Sequence, residues 1–332
     1  MKKYTLILLI IAVAIIPVLM LAGVVSTPLV EKFNEKGIAK YEANEKSFGF
    51  AYEDGLPLDN YVVLSEIKNF KNANNIVVIG SSTTRDGILR SEIKVPEGWN
   101  YLKFSSRGVG INELYIMTDF IEKFANHELD ETDIVKIDIG LGFFKNREFK
   151  NSILKAILEQ GNVYKVSEDL KVSSGLMPSF LYAEFLKPQS LIGEVSDYMK
   201  NEKTASVTPY SKTVHRRYKD LWSRELGDFD ISAGEKERFL EAVKHLAGRT
   251  NVVVENIYGG SWMFETKEGK EYKAWIESDL KPALAEIGVK FVDYSGSIEN
   301  ELFSEQSHLT YEGRAKYTHM ESELFEEITN ER

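Results

Sequence analysis

The chain has 332 residues, room for one large α/β domain or two smaller ones, and with 43% hydrophobic and 28% charged residues it can bury a sizeable core. A formal charge of −10, from 41 Lys and Arg against 51 Asp and Glu, excludes the broad basic face that non-specific nucleic-acid binding needs. No Cys is present, which excludes disulfides, thiolate metal sites, catalytic thiols and lipid attachment through Cys.

Residues 5–25 form an uncharged, mostly apolar run preceded by Lys2 and Lys3. At 1.5 Å per residue a helix of that length spans about 31 Å, enough to cross the hydrocarbon layer. The expectation is a membrane anchor over 1–27, with the N-terminus cytoplasmic by the positive-inside tendency and everything after it outside, a single-pass cell-membrane protein. A cleaved signal peptide begins in the same way, but this apolar stretch exceeds a signal core and no A-x-A site follows it. Pro17 kinks such a helix without ending it. Residues 28–48 are polar and charged and read as a stalk, and the rest, 49–332, as the working domain.

Within that domain the run IVVI at 76–79, between NANN and GSS, reads as a short buried strand, followed by a second at 101–104. A helix follows over about 111–126, with Leu114, Met117, Ile121 and Phe124 on one apolar face, then a strand over 134–144. Residues 146–233 have poor strand signals and read as a helical insertion. Strand and helix then alternate: a helix at 234–248 with Phe239, Val243 and Leu246 inward, a strand at 251–258, a helix near 271–287, a strand at 289–295 and a closing helix from 310 to about 328. This rhythm predicts an α/β fold, a parallel sheet flanked by helices on both faces, with sites outside the carboxyl ends of the strands.

Three turns at that edge carry chemistry-bearing residues. Gly80-Ser81-Ser82 follows the first strand, where Ser82 is a candidate nucleophile and the free N–H groups of a helix start can hold an oxyanion. Its plain structural reading is a turn and N-cap. Glu305 lies three residues before His308, so a loop could return the carboxylate to one ring nitrogen while the other takes a proton from serine. The plain reading there is a surface pair, with Thr310 capping the last helix. Asp293 and Glu301 are alternative orienters, and His127, His215, His245 and His319 have no comparable setting. The third turn, Ser105-Ser106-Arg107-Gly108-Val109-Gly110, can bring backbone close to a substrate or form an ordinary tight turn.

Taken together, a G-x-S turn after the first strand, a Gly-containing turn after the second and an acid-x-x-His-Leu-Thr loop before the last helix resemble the SGNH/GDSL hydrolase superfamily over roughly residues 74–328. The anchor with IVVIGSSTTRDGI further resembles the D-alanyl transfer proteins of teichoic acid biosynthesis and related envelope acyltransferases or esterases. The resemblance implies a three-layer SGNH-like domain. It also implies Ser82 as nucleophile, His308 as base, Glu305 as orienter, and Ser82 with Gly108 or Gly110 as backbone oxyanion donors, without metal or organic cofactor. Three positions depart from the superfamily: Ser81 and Glu305 stand where Asp is usual, and the stretch at 139–143 lacks the usual Asn.

The expected function is a membrane-anchored, extracytoplasmic serine acyltransferase or esterase that works through an acyl-enzyme on a cell-envelope polymer or its acyl carrier, alongside other envelope-building membrane proteins. The alternative is a catalytically silent SGNH-like module that binds or scaffolds them, which the three departures favour. A secreted lipase is a third reading, which the anchor disfavours. Lys212, His215, Arg216, Arg217 and Lys219 form a basic cluster suited to a phosphate-bearing polymer or to a solvated helix face. Trp262 and Trp275 suit core packing better than a sugar cleft.

Overall fold

The structure, a computed structural model, describes residues 66–67, 69–106, 108–140, 142–144, 152–159, 164–175, 233–303 and 307–331. The expected anchor, the stalk and the basic cluster at 212–219 lie outside these residues. Among the described residues no helix is long and apolar enough to cross a membrane.

Five parallel strands form the central sheet: β1 (Asn75–Gly80), β2 (Asn100–Ser105), β3 (Ile134–Ile139), β6 (Asn251–Gly259) and β7 (Lys290–Ser295), in the order β2-β1-β3-β6-β7. Without the small hairpin between β3 and β6 this is the doubly wound order 2-1-3-4-5, in which the chain reverses direction across the sheet between β1 and β3. Every residue of β1 and β3 is buried, as strands covered on both faces require. The N-terminal edge is fastened by Asp133, whose Oδ1 accepts from the backbone N–H (2.9 Å) and the Nδ2 (2.7 Å) of Asn75.

One face of the sheet carries α2 (Ile111–Phe124) and α4 (Ala233–Ala247). Of the residues whose spacing predicted an inward face, Leu114, Met117, Ile121, Phe239, Val243 and Leu246 are buried there and Phe124 is half-buried against the same core. Trp262 is buried in the same core, and Trp275 packs edge-on against Phe144, so both tryptophans are packing residues. The opposite face carries α1 (Ser82–Gly87) and α7 (Tyr311–Asn330), with Phe303, Tyr317, Leu324 and Phe325 filling the second core.

Three local features differ from expectation. The strand expected over 134–144 ends at Ile139, and residues 142–144 form a turn. The insertion contains α3 (Ile153–Glu159), but also an antiparallel hairpin of β4 (Tyr164–Val166) and β5 (Val172–Ser174), whose three-residue strands are too short to show a periodicity. The helix expected near 271–287 begins earlier, as α5 (Lys267–Trp275), and passes through a π-helical stretch (Ile276–Leu280) into α6 (Lys281–Glu286). Pro282 sits in the first turn of α6, where its missing N–H breaks the regular ladder and a wider turn accommodates the change.

Candidate functional site

The site is built at the carboxyl end of β1. Gly80 makes the strand-to-helix turn possible: a Cβ there would fall 1.9 Å from Thr84 Oγ1. Ser81 is extended and N-caps α1, its Oγ accepting from the Thr83 N–H at 3.4 Å and pairing with Thr83 Oγ1 at 2.7 Å. The plain reading of the serine pair as a cap therefore applies to Ser81. Ser82 is the first helical residue, half-buried, and makes no side-chain hydrogen bond among the described residues.

A helix this short holds its position through tertiary contacts. Lys103, from β2, donates to the carbonyls of Arg85 (2.9 Å) and Ile88 (3.0 Å), placing a cation at the negative end of α1. Tyr258, from β6, donates to the Thr83 carbonyl at 2.9 Å. From α7, Thr318 Oγ1 accepts from the Leu89 N–H at 2.8 Å. Three elements thus fix the turn that presents Ser82.

His308 comes from the loop between β7 and α7. Phe303 and Leu309 form an antiparallel bridge, and the Thr310 N–H donates to the Leu302 carbonyl at 2.7 Å, so the loop closes on itself. Thr310 N-caps α7, as its position predicted. The His308 side chain is only 9% exposed, with Nε2 3.6 Å from Asp86 Oδ2 and Nδ1 3.2 Å from Ser307 Oγ. Asp86 follows Ser82 by four residues, which puts both on one face of α1. The two distant segments therefore meet at Asp86, one helical turn after Ser82.

Asp86 was not singled out from the sequence, although a position four residues after a helical serine is a readable signal. Arg85 grips its carboxylate with two bonds, 2.7 Å from Nε and 2.8 Å from Nη2. Burial alone would raise this carboxyl, but the charges of Arg85, His308 and Arg314 outweigh it and hold Asp86 below the usual carboxylate range.

The remaining expected residues fare differently. Glu305 lies outside the described residues. Of the alternative orienters, Asp293 Oδ1 accepts from Asn256 Nδ2 and from the Ser295 N–H, both at 2.9 Å, and Glu301 is exposed. Gly108 adopts φ 67°, left-handed backbone that favours glycine. Gly110 N-caps α2, and its N–H donates to Glu113 Oε2 at 3.0 Å in a capping box. That group is committed to the helix start, which removes it from the expected oxyanion donors and leaves the N–H groups of Ser82 and Gly108 as candidates. Gly110 also lets the segment after β3 approach closely, since a Cβ there would lie 2.9 Å from the Phe143 carbonyl oxygen.

His127, Asp130 and Asp133 bring potential ligand atoms within 4.8 Å of one another at the opposite edge of the sheet. Asp133 already accepts there from Asn75 and from the Asp130 N–H, and pairs with His127 at 2.8 Å, so the group works as a loop fastening. His245 and His319 are exposed and pair with Glu122 and Glu323. No protein-family model matches the chain, and no curated protein is similar enough to count as a relative.

Proposed function

We propose that this chain is a membrane-anchored serine acyltransferase or esterase of SGNH type, with a three-layer domain held outside the membrane by residues 5–25. The observation that carries the reading is the approach of His308 to Asp86, one helical turn after Ser82 on α1, at the carboxyl end of β1 and beside the point where strand order reverses. In the first half-reaction Ser82 Oγ bonds to the carbonyl carbon of an acyl donor, and its proton passes to His308 Nε2. The tetrahedral oxyanion is held by the N–H groups of Ser82 and Gly108. Collapse breaks the bond to the leaving oxygen, which takes the proton back from His308. A hydroxyl of an envelope polymer, or water, then repeats the sequence in reverse to remove the acyl group. Asp86, beside Nε2, stabilises the imidazolium while it exists, and Glu305 is the proposed partner of Nδ1. In the resting site Nε2 faces Asp86 Oδ2 at 3.6 Å, and the proposed mechanism requires it to engage Ser82 Oγ when substrate arrives.

A second reading, a silent SGNH-like module that binds envelope polymer or its carrier, is favoured by the commitment of the Gly110 N–H to Glu113 and by an imidazole that faces Asp86. One experiment separates the two. The full-length chain is treated with a fluorophosphonate probe, which labels activated serines. Covalent labelling that disappears in Ser82→Ala and falls by about 10²-fold or more in His308→Gln supports the enzyme. Absence of labelling in the native chain, or labelling that persists in Ser82→Ala, overturns it.

A further inference from the structure

Beneath α1 and α7 the sheet buries charges that the acyl chemistry does not use. Lys136 Nζ, at the centre of β3, lies 2.7 Å from Asp138 Oδ1, 2.6 Å from Glu255 Oε2 and 2.6 Å from Glu321 Oε2, and all four side chains are sealed from solvent. Asp138 follows Lys136 by two residues on the same face of β3, Glu255 is its register partner on β6, and Glu321 descends from α7. Among the described residues no second cation pairs with these three carboxyls.

We propose that Lys136, Asp138, Glu255 and Glu321 form a proton-holding pin, which keeps two carboxyl protons in the folded protein, releases one of them as the pH rises, and so sets how firmly α1 and α7 are held to the sheet.

The charge count supplies the reason. One ammonium balances one carboxylate, and burying two further negative charges away from water would cost several kcal/mol each. Two protons remove that cost. The packing agrees: three sealed carboxyls crowd one ammonium, a poor setting for three ionised groups. Burial raises Glu255 well above the ordinary range, with the neighbouring Glu321 adding to it and Lys136 opposing. Burial likewise lifts Asp138 to about 7, against the pull of Lys136.

The other groups facing the cluster leave this balance intact. Tyr317 of α7 donates to Glu255 Oε1 at 2.5 Å, and burial pushes it, Tyr101 of β2 and Tyr294 of β7 upward, so all three remain neutral phenols. Arg90, after α1, is drawn to Glu66 at 2.5 Å. Thr84, on the same short helix as Ser82, meets Asp138, while Glu321 and Tyr317 belong to the helix that begins three residues after His308. The cluster therefore touches both elements that build the candidate site. Its protonation does not depend on whether Ser82 is a nucleophile.

The sign follows from the raised acid. Folded Asp138 holds a proton that the unfolded chain releases near its ordinary value of 3.8, so stability from this group declines as the pH rises from there through about 7. Infrared difference spectra of the full-length chain test the claim, because a protonated carboxylic acid has its own carbonyl stretch. A band present at about pH 6 should fade as the pH passes through about 7 and be missing from Asp138→Asn, while Glu255→Gln should remove a second band that persists to higher pH. Hydrogen exchange, corrected for its intrinsic pH dependence, should show α1 and residues 307–313 losing protection between about pH 6 and 8 in the native chain but not in Asp138→Asn. Absence of any acid band in the native chain, or a band unchanged in both variants, overturns the proton-holding claim. Equal loss of protection in native and variant chains overturns the coupling to the site. Neither result bears on fluorophosphonate labelling of Ser82, so this proposal and the acyl-transfer reading fail separately.

Discussion

Both faces of the sheet bury an apolar core, but the face under α1 and α7 seals a charge cluster beside it. Under α2 and α4 the packing is aliphatic and aromatic, with Val77, Ile79, Val135, Ile137 and Val254 meeting Leu114, Met117 and Phe239. Under α1 and α7 the alternate positions of the same strands bring Lys136, Asp138 and Glu255 into a sealed space with Glu321. An apolar face tolerates any filling of similar volume, whereas a buried cation surrounded by three carboxyls admits few arrangements. The candidate site stands on the second face, where placement of α1 and of the His308 loop matters most.

The most damaging way to probe this contrast is Lys136→Met, which leaves three buried carboxyls without their cation. Loss of one member of a buried charge group typically costs about 3–5 kcal/mol. The loss should be greater at about pH 8 than at about pH 6, because deprotonation adds uncompensated charge. On the other face Leu114→Ala creates a cavity under α2 and should cost about 2–5 kcal/mol with no dependence on pH between the same limits. Denaturant titrations of both variants at the two pH values make the comparison. Equal pH sensitivity in the two would mean that the faces do not differ in the way argued.

The extent to which this was legible in the sequence follows the same division. The strands of the central sheet were readable because buried runs such as those at 76–79 and 251–258 stand between turn residues, and the inward faces of α2 and α4 because their spacing is regular. The charged positions were visible as well. Lys136, Asp138 and Glu255 interrupt strands that a parallel sheet must bury on both faces, which already implies a buried charge cluster, but only the fold brings Glu321 to it from α7. At the site, Ser82 and His308 were legible from where strands end and helices begin. Asp86 was missed although it stands four residues after Ser82, because a six-residue helix had first to be recognised as a helix before that spacing could be read. The role of Glu113 followed a capping-box pattern, an acid three residues after Gly110, that was also readable. The β4–β5 hairpin left no such signal.

A smaller effect tests whether the turn before Ser82 is as constrained as its contacts suggest. Gly80→Ala places a methyl 1.9 Å from Thr84 Oγ1, and Thr84 is fully buried, so it cannot swing aside into solvent. Overpacking of this kind costs about 1–3 kcal/mol. The relief available is a shift of α1, so fluorophosphonate labelling of Ser82 should slow by more than the stability loss explains. Unchanged labelling with reduced stability would separate the turn from the site.

The smallest expected effect compares two aspartates on opposite sides of α1. Asp86 is held low by Arg85, His308 and Arg314, so its contribution is present above the ordinary Asp value of 3.8 and disappears as the pH falls through its lower folded value. Asp138 is raised, so its contribution runs the other way, declining as the pH rises toward about 7. Asp86→Asn should therefore cost about 1 kcal/mol near neutral pH, in keeping with a partly exposed ion pair, and that difference from the native chain should vanish in acid below the ordinary Asp value. Asp138→Asn should show its difference at higher pH, where the variant gains on the native chain. Melting temperatures across the acid-to-neutral range measure both slopes. Opposite signs would assign one carboxylate to the site as a charge partner of His308 and the other to the pin beneath it, while parallel slopes would mean that the two share a single titrating network through α1.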